Sequence, residues 1–259
     1  MPEKDVVTSE AAAAPTVSAA DLRAETPHAV SPLGILSLPG KPILKAADIV
    51  GKKILVQGPN ERTAIDATLA LNNLPKQWEP VPAGFSPEPL LAKAGDGYTA
   101  FGTNQAVTLE VKMNMVRGKD FFFTSFDSMG YRFYTNLVFV KREYLAANRP
   151  IVIGYLKGLT RGWMENAKDP SVAAKLCVNK YGADLGLDLK QQTRQNELQI
   201  GMLKNPSKPD LPLLTFDRET LAGPMYAAAK ASGRESLPDI DKLVDFSVMQ
   251  EVNAALKKG

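Results

Sequence analysis

Hydrophobic and polar positions follow two rhythms along this chain of 259 residues. Short apolar runs closed by Gly, Pro or Asn read as strands, and segments with apolar residues every three to four positions read as helices. The clearest run is Lys53-Ile54-Leu55-Val56-Gln57. It ends in Gly58-Pro59-Asn60, and Ala64, Ile65, Ala67, Leu69 and Leu71 then predict a helix. Strand, polar turn and helix in that order form the first half of a β-α-β unit. Further strands are predicted at Leu33–Leu38, near Trp78–Pro82, at Tyr98–Gly102 and at Phe121–Thr124, with a short helix over Pro87–Ala94. This alternation predicts a parallel-rich sheet covered on both faces. Nearer the N-terminus, Asp5–Ser9 reads as a short strand, and Glu10–Ala14 opens a helix that Pro15 interrupts.

After one more β-type run, Tyr134–Val140, the rhythm becomes helical. Asn148-Arg149-Pro150 starts a helix in which Ile151, Tyr155, Leu159 and Trp163 share one face, and Trp163 reads as a core residue. Asp169-Pro170 caps the next helix, which stops at Tyr181-Gly182. Helices over Gln191–Leu203, Asp217–Ala231 and Phe246–Leu256 follow, with a Pro-rich loop at Asn205–Pro212.

Composition narrows the function classes. The formal net charge is +3, from 31 basic and 28 acidic residues spread along the chain, so no basic stripe exists to track phosphates and no nucleic-acid partner is expected. One cysteine, Cys177, and one histidine, His28, leave little for nucleophilic or metal chemistry. Cys177 lies among apolar neighbours and reads as a small buried hydrophobe, and His28 falls in a predicted loop. Neither metal nor cofactor is expected. Met1–Ala14 contains Lys4 but no apolar h-region, so the chain as given is expected to lack a signal peptide and to stay cytoplasmic.

Three strand-end turns carry side chains suited to a small polar ligand. In open α/β sheets, ligands sit beyond the carboxyl ends of the strands, where turns and helix N-termini present N–H groups. Asn60 follows the Lys53–Gln57 strand, Asn104 and Gln105 follow Tyr98–Gly102, and Ser125 and Asp127 follow Phe121–Thr124. Amides and hydroxyls both donate and accept, which suits binding without catalysis. Tyr131 is placed to stack on a ring or to pack between lobes, and Thr8 and Ser9 are expected from the opposing side. Asn60 also fits a plain turn or helix cap, and Ser125 and Asp127 fit local capping. Gln105 is not a favoured cap. Gln105 and Asn104 are therefore the expected centre of the site, and neither is expected to support the core.

Two passages carry a family resemblance. Ser31-Pro32-Leu33-Gly34-Ile35-Leu36-Ser37-Leu38-Pro39, followed by Pro42-Ile43 and Ala47-Asp48-Ile49-Val50-Gly51-Lys52-Lys53-Ile54, resembles a signature of ABC-transporter substrate-binding proteins for sulfonates, nitrate and thiamine pyrimidine precursors. Gly158-Leu159-Thr160-Arg161-Gly162-Trp163, with Asp169-Pro170-Ser171-Val172-Ala173-Ala174, is similar to the C-terminal helix pair of that family. The resemblance implies an α/β, type II periplasmic-binding-protein fold of two lobes joined by crossing strands, with a ligand in the cleft. Residues 1–42 and 129–259 would form the first lobe, and 43–128 the second. It further implies a first lobe that is N-terminally incomplete, by about 70 residues plus a signal peptide, and self-association through that lobe. An ABC permease is the implied partner and an extracytoplasmic compartment the implied location. The function implied is capture of a small polar or heterocyclic ligand for import. Two alternatives stand beside it: a thiamine-pyrimidine-synthase-like enzyme, whose cysteine-rich motif is absent here, and a truncated family member with little binding activity.

Overall fold

A computed structural model describes residues 22–28, as backbone, and residues 30–257. The expected strand at Asp5–Ser9 and the alanine-rich stretch after it lie outside the described residues.

The centre of the first half is a five-stranded sheet. Its strands are β2 (Leu33–Ser37), β3 (Lys53–Val56), β4 (Glu79–Pro82), β5 (Gly97–Phe101) and β6 (Phe122–Ser125), in the spatial order β4-β3-β5-β2-β6. β3 pairs in parallel with β4 and β5, whereas β2 pairs antiparallel with both β5 and β6. β3, β4, β5 and β6 therefore point the same way, and β2 alone runs back between β5 and β6. Four of the five strands run in parallel as expected, with one reversed strand next to the β6 edge.

Burial on both faces explains why the central runs are largely apolar. Ile35, Ile54 and Val56 face one layer with Ile65 and Leu69 of helix α1 (Pro59–Leu71) and with Phe126. Leu36, Leu55, Tyr98 and Ala100 face the other, against Leu90 of α2 (Glu88–Leu91), Leu109 of α3 (Gln105–Lys112) and Phe121. A strand buried on both faces has no polar side to show. Close approach demands glycine at Gly34, where a Cβ would lie 2.3 Å from the Thr124 carbonyl oxygen.

The position of β2 bears on the expected division. Residues 1–42 were assigned to the first lobe, but Leu33–Ser37 is entirely buried inside the sheet built from 53–125. An apolar strand between two partners is satisfied on both edges, so Leu33–Ser37 packs as part of this sheet.

The rest of the chain contains a two-stranded antiparallel ribbon, β1 (Leu22–His28) with β7 (Thr135–Lys141), and a set of helices. His28 ends β1 opposite Thr135 and is not in a loop, because pairing with β7 extends the strand past Pro27 through two register shifts. Helix α4 (Arg142–Lys168) is two helices joined at Asn148, whose φ of −131° is non-helical. Pro150 lacks an N–H and tolerates only the first turn of the second piece, as the sequence predicts. Then come α5 (Pro170–Leu176), α6 (Leu189–Gly201), α7 (Arg218–Thr220), α8 (Tyr226–Ala231), the unpredicted single turn α9 (Ile240–Leu243) and α10 (Phe246–Lys257). Asp169 and Asp217 cap α5 and α7 by accepting from the backbone N–H groups of Ser171 and Thr220.

The apolar face of α4 is rotated from the expected one. Val152 and Leu156 are buried in a cluster with Val248, Met249 and Val252 of α10, Thr160 is buried too, and Leu159 and Trp163 are partly buried beside the cluster. Ile151 and Tyr155, expected on the same face, are 60% and 61% exposed. Cys177 is likewise only partly buried, not enclosed. No described helix is long and apolar enough to cross a membrane.

Candidate functional site

The carboxyl ends of β3, β5 and β6 lie on one edge of the sheet, as the sequence reading required. α1 starts there at Gly58-Pro59, directly after β3, and α3 starts there behind Asn104, directly after β5. Both helices turn their unpaired first-turn N–H groups toward this edge, which suits an oxygen-bearing ligand. Gln57, at the end of β3, is locked by Thr99 of the neighbouring strand. Its Nε2 donates to the Thr99 carbonyl (2.9 Å), and its Oε1 accepts from the Thr99 hydroxyl (2.6 Å).

The expected residues divide into those at the surface of this edge and those holding it together. Asn60 is exposed in the first turn of α1 and is available to a ligand. Asn104 is exposed too, but its Oδ1 accepts from Gln191 Nε2 of α6 at 3.2 Å. Gln105 departs from its expected role. It is 5% exposed, and its Oε1 accepts from the Phe101 backbone N–H at 2.9 Å, tying the end of β5 to the start of α3. A buried amide replaces the ladder bond that β5 loses as it leaves the sheet, so Gln105 does support the core. Ser125 caps the turn after β6, its Oγ accepting from the Ser128 N–H. Asp127 makes a two-pronged ion pair with Arg132, at 2.6 and 3.0 Å. Tyr131 packs its ring against Phe126 and Phe133 and brings its hydroxyl within 3.5 Å of Ser232 Oγ, which follows α8. Thr8 and Ser9 lie outside the described residues.

Two residues at this edge were not singled out from the sequence. Gln191 of α6 is 8% exposed and bonds both Asn104 and the Thr108 hydroxyl, drawing the helical half onto α3. Arg194, one turn further along α6, approaches Glu110 of α3 at 3.5 Å, and Arg117 holds the same carboxylate at 2.6 Å. A polar helix face carries no signature of its partner, so only the folded arrangement identifies these contacts. Among the described residues, no three His, Cys, Asp or Glu side chains cluster to hold a metal ion.

This arrangement, a mixed α/β sheet with one reversed strand, backed by helices on both faces and met at its carboxyl edge by a second set of helices, is found in binding proteins of known structure. Solved structures share it at low sequence identity. The protein assigned as the periplasmic sulfonate-binding protein SsuA of Methylobacillus flagellatus KT superposes with a TM-score of 0.60 at 13% identity, over 91% of this chain and 70% of its own. The zinc-bound ligand-binding component of an ABC-type import system from Staphylococcus aureus gives 0.58 at 9% identity, over 90% and 74%. The alkanesulfonate-binding protein SsuA from Xanthomonas axonopodis pv. citri, bound to MOPS, gives 0.50 at 15%, over 88% and 73%. No curated protein matches the chain. The model of the NMT1/THI5-like family matches residues 2–173, and the chain belongs to that family.

Proposed function

We propose that the protein is the solute-binding component of an ABC-type importer, capturing a small polar or heterocyclic ligand without transforming it. The observation that carries this reading is the shared carboxyl edge of β3, β5 and β6, with two helix N-termini aimed at it and α6 and α8 facing it through Gln191 and Ser232. Such an edge offers N–H groups, amides and hydroxyls, and the described residues around it present no paired acid and base. The five-stranded unit, now including β2, acts as one lobe, and the helical half with the β1–β7 ribbon as the other. Arg132 is already neutralised by Asp127, so the edge favours an uncharged heterocycle over a strong anion. An ABC permease as partner, an extracytoplasmic site of action and self-association through the helical lobe belong to the same reading.

Titration calorimetry with pyrimidines, alkanesulfonates, nitrate and small amines tests it. Asn60→Ala is expected to weaken the bound ligand roughly 3- to 10-fold, the loss of one ligand hydrogen bond, with the unfolding midpoint unchanged. Gln105→Ala is expected to lower that midpoint as well. Unchanged affinity in Asn60→Ala would remove the carboxyl edge as the site.

A further inference from the structure

The opposite edge of the same sheet holds an open cavity of about 740 Å³, between the chain leaving β2 and the amino ends of β3 and β5. We propose that this cavity is a second binding site, for a small amphipathic anion such as a medium-chain carboxylate or sulfonate. Its volume lies within the ordinary range for small-molecule sites. It is far from the turns of Asn60 and Asn104 because β3 and β5 run their whole length between the two edges.

The chemistry of the walls identifies the ligand class. Leu38, Leu91 and Met115, each partly buried against the core, form an apolar floor. Three lysines, Lys41, Lys53 and Lys93, stand around it. Two carboxylates also reach the cavity, and both are engaged. Asp96 accepts from the Lys53 backbone N–H (3.0 Å) and from Lys41 Nζ (2.9 Å), and Asp120 accepts from the Val116 N–H (2.8 Å). Lys53 Nζ lies 3.2 Å from Glu79, both side chains being more than half exposed. Lys93 is exposed and has no ion pair among the described residues. An apolar floor beneath an uncommitted ammonium suits a ligand with a hydrocarbon body and one negative head.

The backbone at Lys93 supplies an independent observation. Its φ is +58°, the left-handed conformation that closes α2, with the Lys93 N–H donating to Leu90 and the Ala94 N–H to Pro89. Glycine is the ordinary residue there, since any Cβ is strained. A helix of four residues offers little dipole to reward a lysine at its end. The lysine is thus held at local strain on the rim of a cavity whose floor is apolar.

Titration of the full chain with octanoate and octane-1-sulfonate, with 1-octanol as the uncharged control, tests the assignment. Saturable binding of both anions, at least tenfold tighter than the alcohol, is expected from one charge-assisted contact. Lys93→Glu should reduce it about tenfold or more. Lys93→Gly should weaken binding while raising the melting temperature, a combination that a purely structural lysine would not produce. Asn60→Ala should leave it unchanged, so failure here is separable from failure of the carboxyl-edge site. Absence of saturable binding, equal binding of octanol, or loss in Asn60→Ala with none in Lys93→Glu would each overturn the proposal.

Discussion

The five-stranded unit and the helical half are built to different standards of enclosure. Around the sheet, both faces of every central strand are covered, and the large exposed apolar residues of segment 30–128 are only Leu44, Phe85, Phe101 and Val116. The helical half leaves Leu137, Phe139, Tyr144, Ile151, Tyr155 and Met164 exposed, and five more beyond them. Its ribbon has two strands, too few to form a layer that helices can sandwich. A sheet organises apolar surface by offering two faces at once, whereas helices packed mainly on one another each keep an outward stripe. Stability should therefore be concentrated in the sheet and capacity for association in the helices.

The largest expected effect is in the sheet unit. Phe126 is fully buried beneath α1, and Phe126→Ala should cost about 3–5 kcal/mol, read from the urea midpoint. A loss below about 1 kcal/mol would mean the unit is far less tightly packed than its burial implies.

An intermediate effect is expected at Asp217, which anchors the helical half. Burial pushes its carboxyl up, but the bonds from Lys208 and from the side chain and backbone of Thr220 outweigh it, holding the group below the ordinary carboxylate value. A carboxyl depressed in the folded state stabilises above its unfolded value of about 3.9, and that contribution is lost as pH falls through the folded value. Thermal unfolding from pH 7 to pH 3 should show this acid loss, and Asp217→Asn should flatten it, at a cost of about 1–2 kcal/mol at neutral pH for the weakened cap. Asp96 is depressed in the same direction, chiefly by the Lys53 N–H and then by Lys41. Some acid sensitivity must accordingly remain in the variant, and a completely flat profile would contradict the role of Asp96.

The smallest effect on stability, and the sharpest for the comparison, is at the exposed face of α4. Ile151→Ser with Tyr155→Ser should change stability by no more than about 0.5 kcal/mol per site, while reducing any self-association seen by sedimentation. A large stability loss would mean the face is covered.

How much of this was readable in the sequence differed between the same two regions. Strands such as Lys53–Val56 and Gly97–Phe101 were legible because double burial forces unbroken apolar runs, and their glycine-bearing turns mark the ends. Their common carboxyl edge followed from the alternation with helices. The place of β2 was not legible, since a buried run shows that it has two neighbours but not which ones. In the helical half, the cap at Asp169 was visible from its residue type, whereas the rotation of α4 was hidden. Ile151 and Val152 are adjacent apolar residues, and only packing decides which one turns inward. At the site, Asn60 lies exposed in the first turn of α1, whereas Gln105 is buried. A glutamine that accepts from a main-chain N–H four residues back looks no different in sequence from one that awaits a ligand.

The reversed strand also governs the order in which the molecule can assemble. β2 emerges from synthesis ahead of both strands that will flank it, five residues that end up buried, with neither edge paired. The β3–α1–β4 unit closes through local contacts and can form early, while β2 must wait for β5 and then β6 before its ladders are complete. Insertion of this strand is thus expected to be the slow step. A rearranged chain carrying segment 30–38 after β6 should refold faster in stopped-flow measurements. Until insertion is complete, the nascent protein presents a bare apolar edge, the kind of surface that chaperones exist to shield.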